Sequence, residues 1–259
     1  MGELTAASRE RAAGARGSAA ALERAVVDCP PVPSFRGALR RDAVQVIAEI
    51  KRRSPSKGAI NEGLDAPERA VAYAAAGAAA LSVLTEPARF GGSLDDLRAV
   101  HAATPLPLLR KDFIVDEVQL LEARVAGASA VLLIARALPP SRFAALARAA
   151  QTLSLDVLLE VRDEGELERA LSVTDAVIGV NNRNLETLQI DDVVSERLVP
   201  GIPPERIVVY ESGISSRAGV ERAASLGADA VLVGSALSAA ADGGAGLAAL
   251  VGVTRHSRG

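Results

Sequence analysis

The sequence predicts an α/β fold, a TIM (β/α)8 barrel with an N-terminal helical extension, and three observations predict it. A refrain recurs as AAGAAALSVL around Gly77, AGASAVLLI around Gly127 and LGADAVLVG around Gly227. Each copy reads as a helix ending at a glycine, which suits the left-handed position just past a helix, followed by a short run suited to a strand covered on both faces. Apolar runs of strand length fall at roughly 44–50, 79–84, 107–111, 129–134, 155–160, 176–181, 206–211 and 229–233, with helical patterns between them. Five of these runs stop at residues able to move a proton or grip an anion: Glu49 with Lys51, Lys111, Glu160, Asn181 and Glu211. In a barrel of parallel strands the carboxyl ends share one face, so residues remote in sequence converge there. A doubly wound sheet offers fewer strands and one glycine-rich dinucleotide turn, and no GxGxxG follows the first strand here.

A length of 259 residues suits one such domain, typically about 250 residues, better than two small ones. The expected organisation is a helical extension and connector over 1–40, a catalytic barrel over 41–253 and a flexible tail over 254–259. Only 2% of residues are aromatic, so Ala, Val, Leu and Ile must build the core. A formal charge of −3 argues against a polyanion-coating protein, and hence against nucleic acid as a partner. No apolar stretch reads as a signal peptide or a membrane span, and the one cysteine, Cys29, precedes the first core strand. A reducing cytoplasm is the expected location. His101 falls in a helix and His256 in the tail, so acid–base work falls to Lys and Glu, and no cluster at ligand spacing argues for a metal.

Taken in order, residues 1–24 are rich in Ala and Arg, and Cys29 to Pro33 holds three prolines, which reads as a helix followed by an extended connector. The first strand then ends in AEIKRRSPSKG, where alternation sends Glu49 and Lys51 to the same side. The two could form a salt pair inside the barrel. The basic loop containing Ser54 favours an anionic substrate instead. The third strand ends in Arg110, Lys111, Asp112 and Phe113. Lys111, entering a partly apolar pocket near other cations, is expected to lose some preference for the charged form and to donate a proton near neutral pH. Arg110 and Asp112 point the other way, toward the helix layer. Phe90 and Phe113, in loops after the second and third strands, suggest an apolar slot for a planar ring. Glu160 and Glu211 close the fifth and seventh strands, and Arg183 in VNNRNLETL could hold a carboxylate by its forked donors. Glu211-Ser212-Gly213 and Val233-Gly234-Ser235 follow the last two strands, where barrels often bind phosphate.

Together AEIKRRSPSKG, SVLTEPARFGGSLDDL, PLLRKDFIVDEVQLLEARVAGASAVLLI, LLEV, IGVNNRNLETLQID, ESGI and VGSAL resemble the indole-3-glycerol-phosphate synthase family, from about Phe35 to about Leu237. The resemblance implies a lyase of tryptophan biosynthesis acting on 1-(2-carboxyphenylamino)-1-deoxyribulose 5-phosphate, with loss of carbon dioxide and water and with no metal or organic cofactor. It implies Lys111 as the acid that protonates the ribulose carbonyl, with Glu160 and Lys51 as acid and base for loss of the remaining hydroxyl. Glu49, Asn181, Glu211 and Ser212 would orient the reacting groups, and Lys51, Gly213, Gly234 and Ser235 would hold the phosphate. It further implies an N-terminal helix that helps cover the pocket, which the Ala/Arg-rich start matches loosely, and members of the family are often monomeric.

Two other readings compete. An isomerase of a phosphoribosyl amine, such as phosphoribosylanthranilate isomerase, resembles a Cys/Asp acid–base pair, for which Cys29 is misplaced. A non-catalytic phosphate-sugar-binding barrel would have no use for a proton donor such as Lys111.

Overall fold

The computed structural model describes residues 1–240 and 242–258. Eight parallel strands close into a barrel: β1 (Gln45–Ile50), β2 (Ala80–Leu84), β3 (Leu108–Lys111), β4 (Ala130–Ile134), β5 (Asp156–Val161), β6 (Val177–Asn181), β7 (Val208–Glu211) and β8 (Ala230–Val233). Each pairs with its sequence neighbours, and β8 closes on β1 with Gln45 opposite Ala230 and Ala48 opposite Val233.

Alternation along the strands splits the core in two. Val46, Ala48, Leu81, Val83, Val131 and Leu133 pack outward beneath the helices, while Ile47, Ala80, Leu109, Ala130, Leu158 and Val209 fill the barrel interior. The refrain glycines Gly77, Gly127 and Gly227 adopt φ of +94°, +87° and +91°. A side chain is disfavoured there, so glycine ends each helix and lets the chain turn directly into β2, β4 and β8.

The first forty residues form α1 (Gly2–Ala15), a 3-10 turn, α2 (Ala19–Val27), an extended connector and a short α3 (Phe35–Leu39), rather than one helix and a connector. Ser34 caps α3, its hydroxyl accepting from the Gly37 amide. Phe35 and Leu39 are fully buried in the interior cluster. The Arg36 amide donates to Asp156 at 2.9 Å, the Arg36 side chain reaches Asp175, and Arg40 donates to the Glu205 carbonyl at 2.9 Å. Those three partners lie at or just before the starts of β5, β6 and β7, so α3 stoppers the amino end of the barrel and leaves the carboxyl end for a site.

Around the barrel run α4 (Ala66–Ala75), α5 (Leu94–Ala103), α6 (Glu117–Val125), α7 (Pro140–Thr152), α8 (Glu164–Leu171), α9 (Val193–Leu198) and α10 (Arg217–Ser225), followed by the short α11 (Ser235–Ala239) and α12 (Gly243–Ala248). Asp65, Ser93, Asp116, Asp163 and Ser216 cap α4, α5, α6, α8 and α10 through side-chain oxygens. The loop after β1 contains a two-residue antiparallel ribbon, Arg53–Ser54 with Gly58–Ala59.

The tail also differs from expectation. Thr254 bridges Ala43, and Arg255 and Arg258 both reach Asp229, with Arg258 also donating to the carbonyls of Gly227 and Arg206. An Asp buried at the start of β8 needs positive partners, and the tail supplies them.

Phe35→Ala should cost about 3–5 kcal/mol of stability, the usual scale for truncating a buried aromatic. Urea denaturation of the two proteins measures it.

Candidate active site

The carboxyl ends of the strands surround a cavity of about 350 Å³. That volume suits a small molecule. Every residue singled out from the sequence lines it: Glu49, Lys51, Ser54, Phe90, Lys111, Phe113, Glu160, Asn181, Arg183, Glu211, Ser212, Gly213, Gly234 and Ser235. Cys29 lies elsewhere, its thiol against the carbonyls of Ala25 and Arg124.

Lys111 is central to the floor. Its Nζ donates to Glu211 Oε2 at 2.8 Å and lies 3.7 Å from Glu49 Oε2, while Glu49 Oε1 pairs with Lys51. Burial would push the Lys111 ammonium toward its neutral form, but Glu211, Glu49 and Glu160 outweigh it and raise the pKa above the ordinary lysine value. The expectation of a weakened ammonium is therefore corrected: the neighbours that matter are carboxylates, contributed by three other strands. Glu49 follows the complementary logic, since burial pushes its carboxyl up, yet Lys51 and then Lys111 hold it below its usual range.

Glu160 goes the other way. Burial first, then the nearby Glu211 carboxylate, push it up to about 7, against the opposing pull of Lys111 and Asn181. It can therefore gain or lose a proton near neutrality. Asn181 is fixed by its own oxygen, which accepts from the Ser212 hydroxyl and the Arg183 amide, each at 2.9 Å. Ser212 has φ of +69°, a backbone state uncommon outside glycine, and that hydroxyl contact helps hold it.

Arg110 and Asp112, on either side of Lys111, are bound toward the helix layer as alternation predicts, while Asp112 also borders the cavity. Arg110 donates to the Gln119 carbonyl at 2.6 Å and to Thr85 at 3.1 Å, and Asp112 accepts from Thr85 and from Arg11 of α1. Phe90 and Phe113 lie 6.5 Å apart between ring centroids. Arg183 reaches the cavity wall, with one guanidinium nitrogen spent on the Leu188 carbonyl at 2.8 Å.

Some contributors were not singled out from the sequence. Glu86, fully buried, accepts from the amides of Ala88, Arg89 and Phe90 and so sets the turn that aims Phe90 inward. Its signal was present as an acidic residue just before a proline at a strand end, an N-cap pattern. Leu132, Ile134 and Leu232 form an apolar wall that period-two alternation on β4 and β8 could have supplied. Met1 and Leu4, at the start of α1, also line the mouth, and no local pattern announces that. Among the described residues, no three His, Cys, Asp or Glu side chains are disposed to hold a metal ion, and no helix is long and apolar enough to cross a membrane.

Ammonium and carboxyl groups from four strands and the Asn181 amide from a fifth, beside glycine–serine loops and an apolar wall, make the class plain: a TIM-barrel enzyme. The model of indole-3-glycerol phosphate synthase matches residues 4–250. An indole-3-glycerol phosphate synthase of a Nocardioides species is 52% identical over 90% of this chain and 88% of its own, and one from Dehalococcoides mccartyi is 48% identical over 86% and 88%. A solved 3-hexulose-6-phosphate synthase from Salmonella typhimurium superposes with a TM-score of 0.64 at 18% identity, covering 80% of this chain and 96% of its own, a likeness of fold alone. The chain belongs to the indole-3-glycerol phosphate synthase family, and is an enzyme of that kind, a carboxy-lyase of tryptophan biosynthesis.

The raised Glu160 carboxyl carries a stability signature. Between about 4.5 and about 7 the folded state holds a proton that the unfolded chain has released, so this group's contribution to stability falls as pH rises through that window. Glu160→Gln should therefore be more stable than the parent above pH 7, with the gap closing toward pH 4.5. Denaturant midpoints across pH that show a constant or reversed gap would disprove the raised value.

Proposed function

We propose that the cavity closes the indole ring of 1-(2-carboxyphenylamino)-1-deoxyribulose 5-phosphate, releasing carbon dioxide and water. The observation that carries this reading is the charged Lys111 held by Glu211 and Glu49 at the floor of an apolar pocket, with Glu160 poised near neutrality. Lys111 donates to the ribulose carbonyl oxygen and makes its carbon electrophilic. The carboxylate-bearing ring carbon attacks it. The bond to the carboxylate then breaks, and its electron pair restores the aromatic ring. The remaining hydroxyl leaves as water once it receives a proton and the new ring gives one up, with Glu160 and Lys51 supplying the acid and the base between them.

The other groups divide by chemistry. Glu49, Asn181, Glu211 and Ser212 orient Lys111, Lys51 and Glu160. Gly213, Gly234 and Ser235, with Lys51 beside them, bind the phosphate, where backbone amides can approach closely. Phe90 and Phe113 flank the aromatic ring, Ser54 contacts the substrate from its loop, and Arg183 faces the carboxylate. No cofactor takes part. In this reading residues 1–40 form the helical extension, whose start at Met1 and Leu4 covers the mouth, 41–253 form the catalytic domain, and the enzyme works as a cytoplasmic monomer.

The chain contains no Trp, so an indole product is visible by fluorescence over a dark protein background. With that assay, Lys111→Ala should lower turnover by about two orders of magnitude or more, the scale of a positioned acid. Ser235→Ala should mainly raise KM. Near-normal turnover of Lys111→Ala would remove it from the acid role.

A further inference from the structure

Two strands present a glycine where a side chain would project over the floor of the cavity. A methyl group at Gly179 would sit 2.1 Å from Glu211 Oε1 and 3.2 Å from both Glu211 Cδ and Leu158 Cδ1. One at Gly234 would sit 2.1 Å from Glu49 Oε1. Each carboxylate that touches Lys111 thus occupies the volume its neighbouring strand leaves bare.

Gly179 has no backbone reason to be glycine. It lies within β6, where glycine weakens a strand, and it is not among the positive-φ glycines. Steric room is what it supplies. Glu211 needs that room, because its Oε2 is tethered to Lys111 at 2.8 Å while no donor reaches the buried Oε1 among the described residues. Fit alone keeps that end of the carboxylate from turning. Gly179 also sits opposite Glu160 on β5, and two residues on Asn181 sits opposite Glu211 on β7, so the bare stretch of β6 runs between the two carboxylates.

We propose that Gly179 is a positioning residue for the reaction: its missing side chain is the seat of Glu211, and this seat holds the carboxylate on Lys111 and sets its separation from Glu160. The inference rests on the roles given above to Lys111 and Glu211. It acts through Glu211 and touches no reacting atom.

The test is a double-variant cycle of Gly179→Ala, Glu211→Asp and both together, with Glu211→Gln as reference, reading kcat and KM separately by indole fluorescence. Gly179→Ala should lose about a hundredfold in kcat, the scale of a misplacement near 1 Å, with little change in KM. Because both changes disturb one carboxylate, the double variant should be no worse than the worse single, and not the product of the two losses. Multiplying losses, or a normal kcat in Gly179→Ala beside an impaired Glu211→Gln, would overturn the seat alone. Unchanged turnover in Glu211→Asp and Glu211→Gln would instead remove the catalytic reading of Glu211, and the inference with it. Should Gly179→Ala fail to fold by itself, the shorter Asp makes room for the methyl, so the double variant should fold; its failure would also overturn the seat.

Discussion

Two lysines facing three carboxylates in a buried mouth set the terms for everything around them. At an effective dielectric near 20, opposite charges 4 Å apart attract by about 4 kcal/mol, while burial costs several kcal/mol for each of the two ions, so a lone pair here would not offset its burial. Sharing changes the balance. Glu49 contacts both Lys51 and Lys111, and Lys111 contacts both Glu49 and Glu211, so the burial penalty of these two is offset by more than one attraction. With all five ionised one negative charge remains in excess. Among the described residues no lysine lies within ion-pair distance of Glu160, so it is the carboxyl that keeps its proton toward neutrality.

Such a network works only if its members cannot drift, and the barrel supplies that rigidity. Glu49, Lys111, Glu160, Asn181 and Glu211 sit within or at the ends of five different strands whose registers are fixed by parallel pairing. Beneath them the outward residues are tied as firmly. Arg110 and Asp112 bracket Lys111 in sequence and are bound to α6, the β2 end and α1, so the backbone at Lys111 is anchored on both sides.

The strand ends were legible from the sequence because period two, glycine punctuation and a charged residue closing an apolar run are local signals. All five charged or amide strand ends do meet in one cavity. What was not legible depends on partners remote in the chain. The direction of the Lys111 shift turns on carboxylates contributed by β1, β5 and β7, whereas the run around it shows mainly Arg110 and Asp112, which are bound toward the helix layer. The stopper formed by Phe35 and Leu39, the docking of Arg258 on Asp229 and the place of Met1 and Leu4 at the mouth likewise follow from closure of the barrel, not from any pattern within those segments.

The apolar wall links recognition to chemistry. In the proposed reading Leu132, Ile134 and Leu232 with Phe90 and Phe113 would offer a planar ring a dry surface, and burial in the same cavity deprives Glu160 of the water that would ionise it. Binding and proton transfer are therefore two consequences of one low-dielectric surface. A polar group placed on that wall would weaken the fit to an aromatic substrate and, by solvating Glu160, return its carboxyl toward the ordinary range. The same surface strengthens the hold of Glu211 and Glu49 on Lys111, since each attraction grows as water is excluded. The charge network and the apolar lining thus act as one device, and altering either changes the proton affinities of the network.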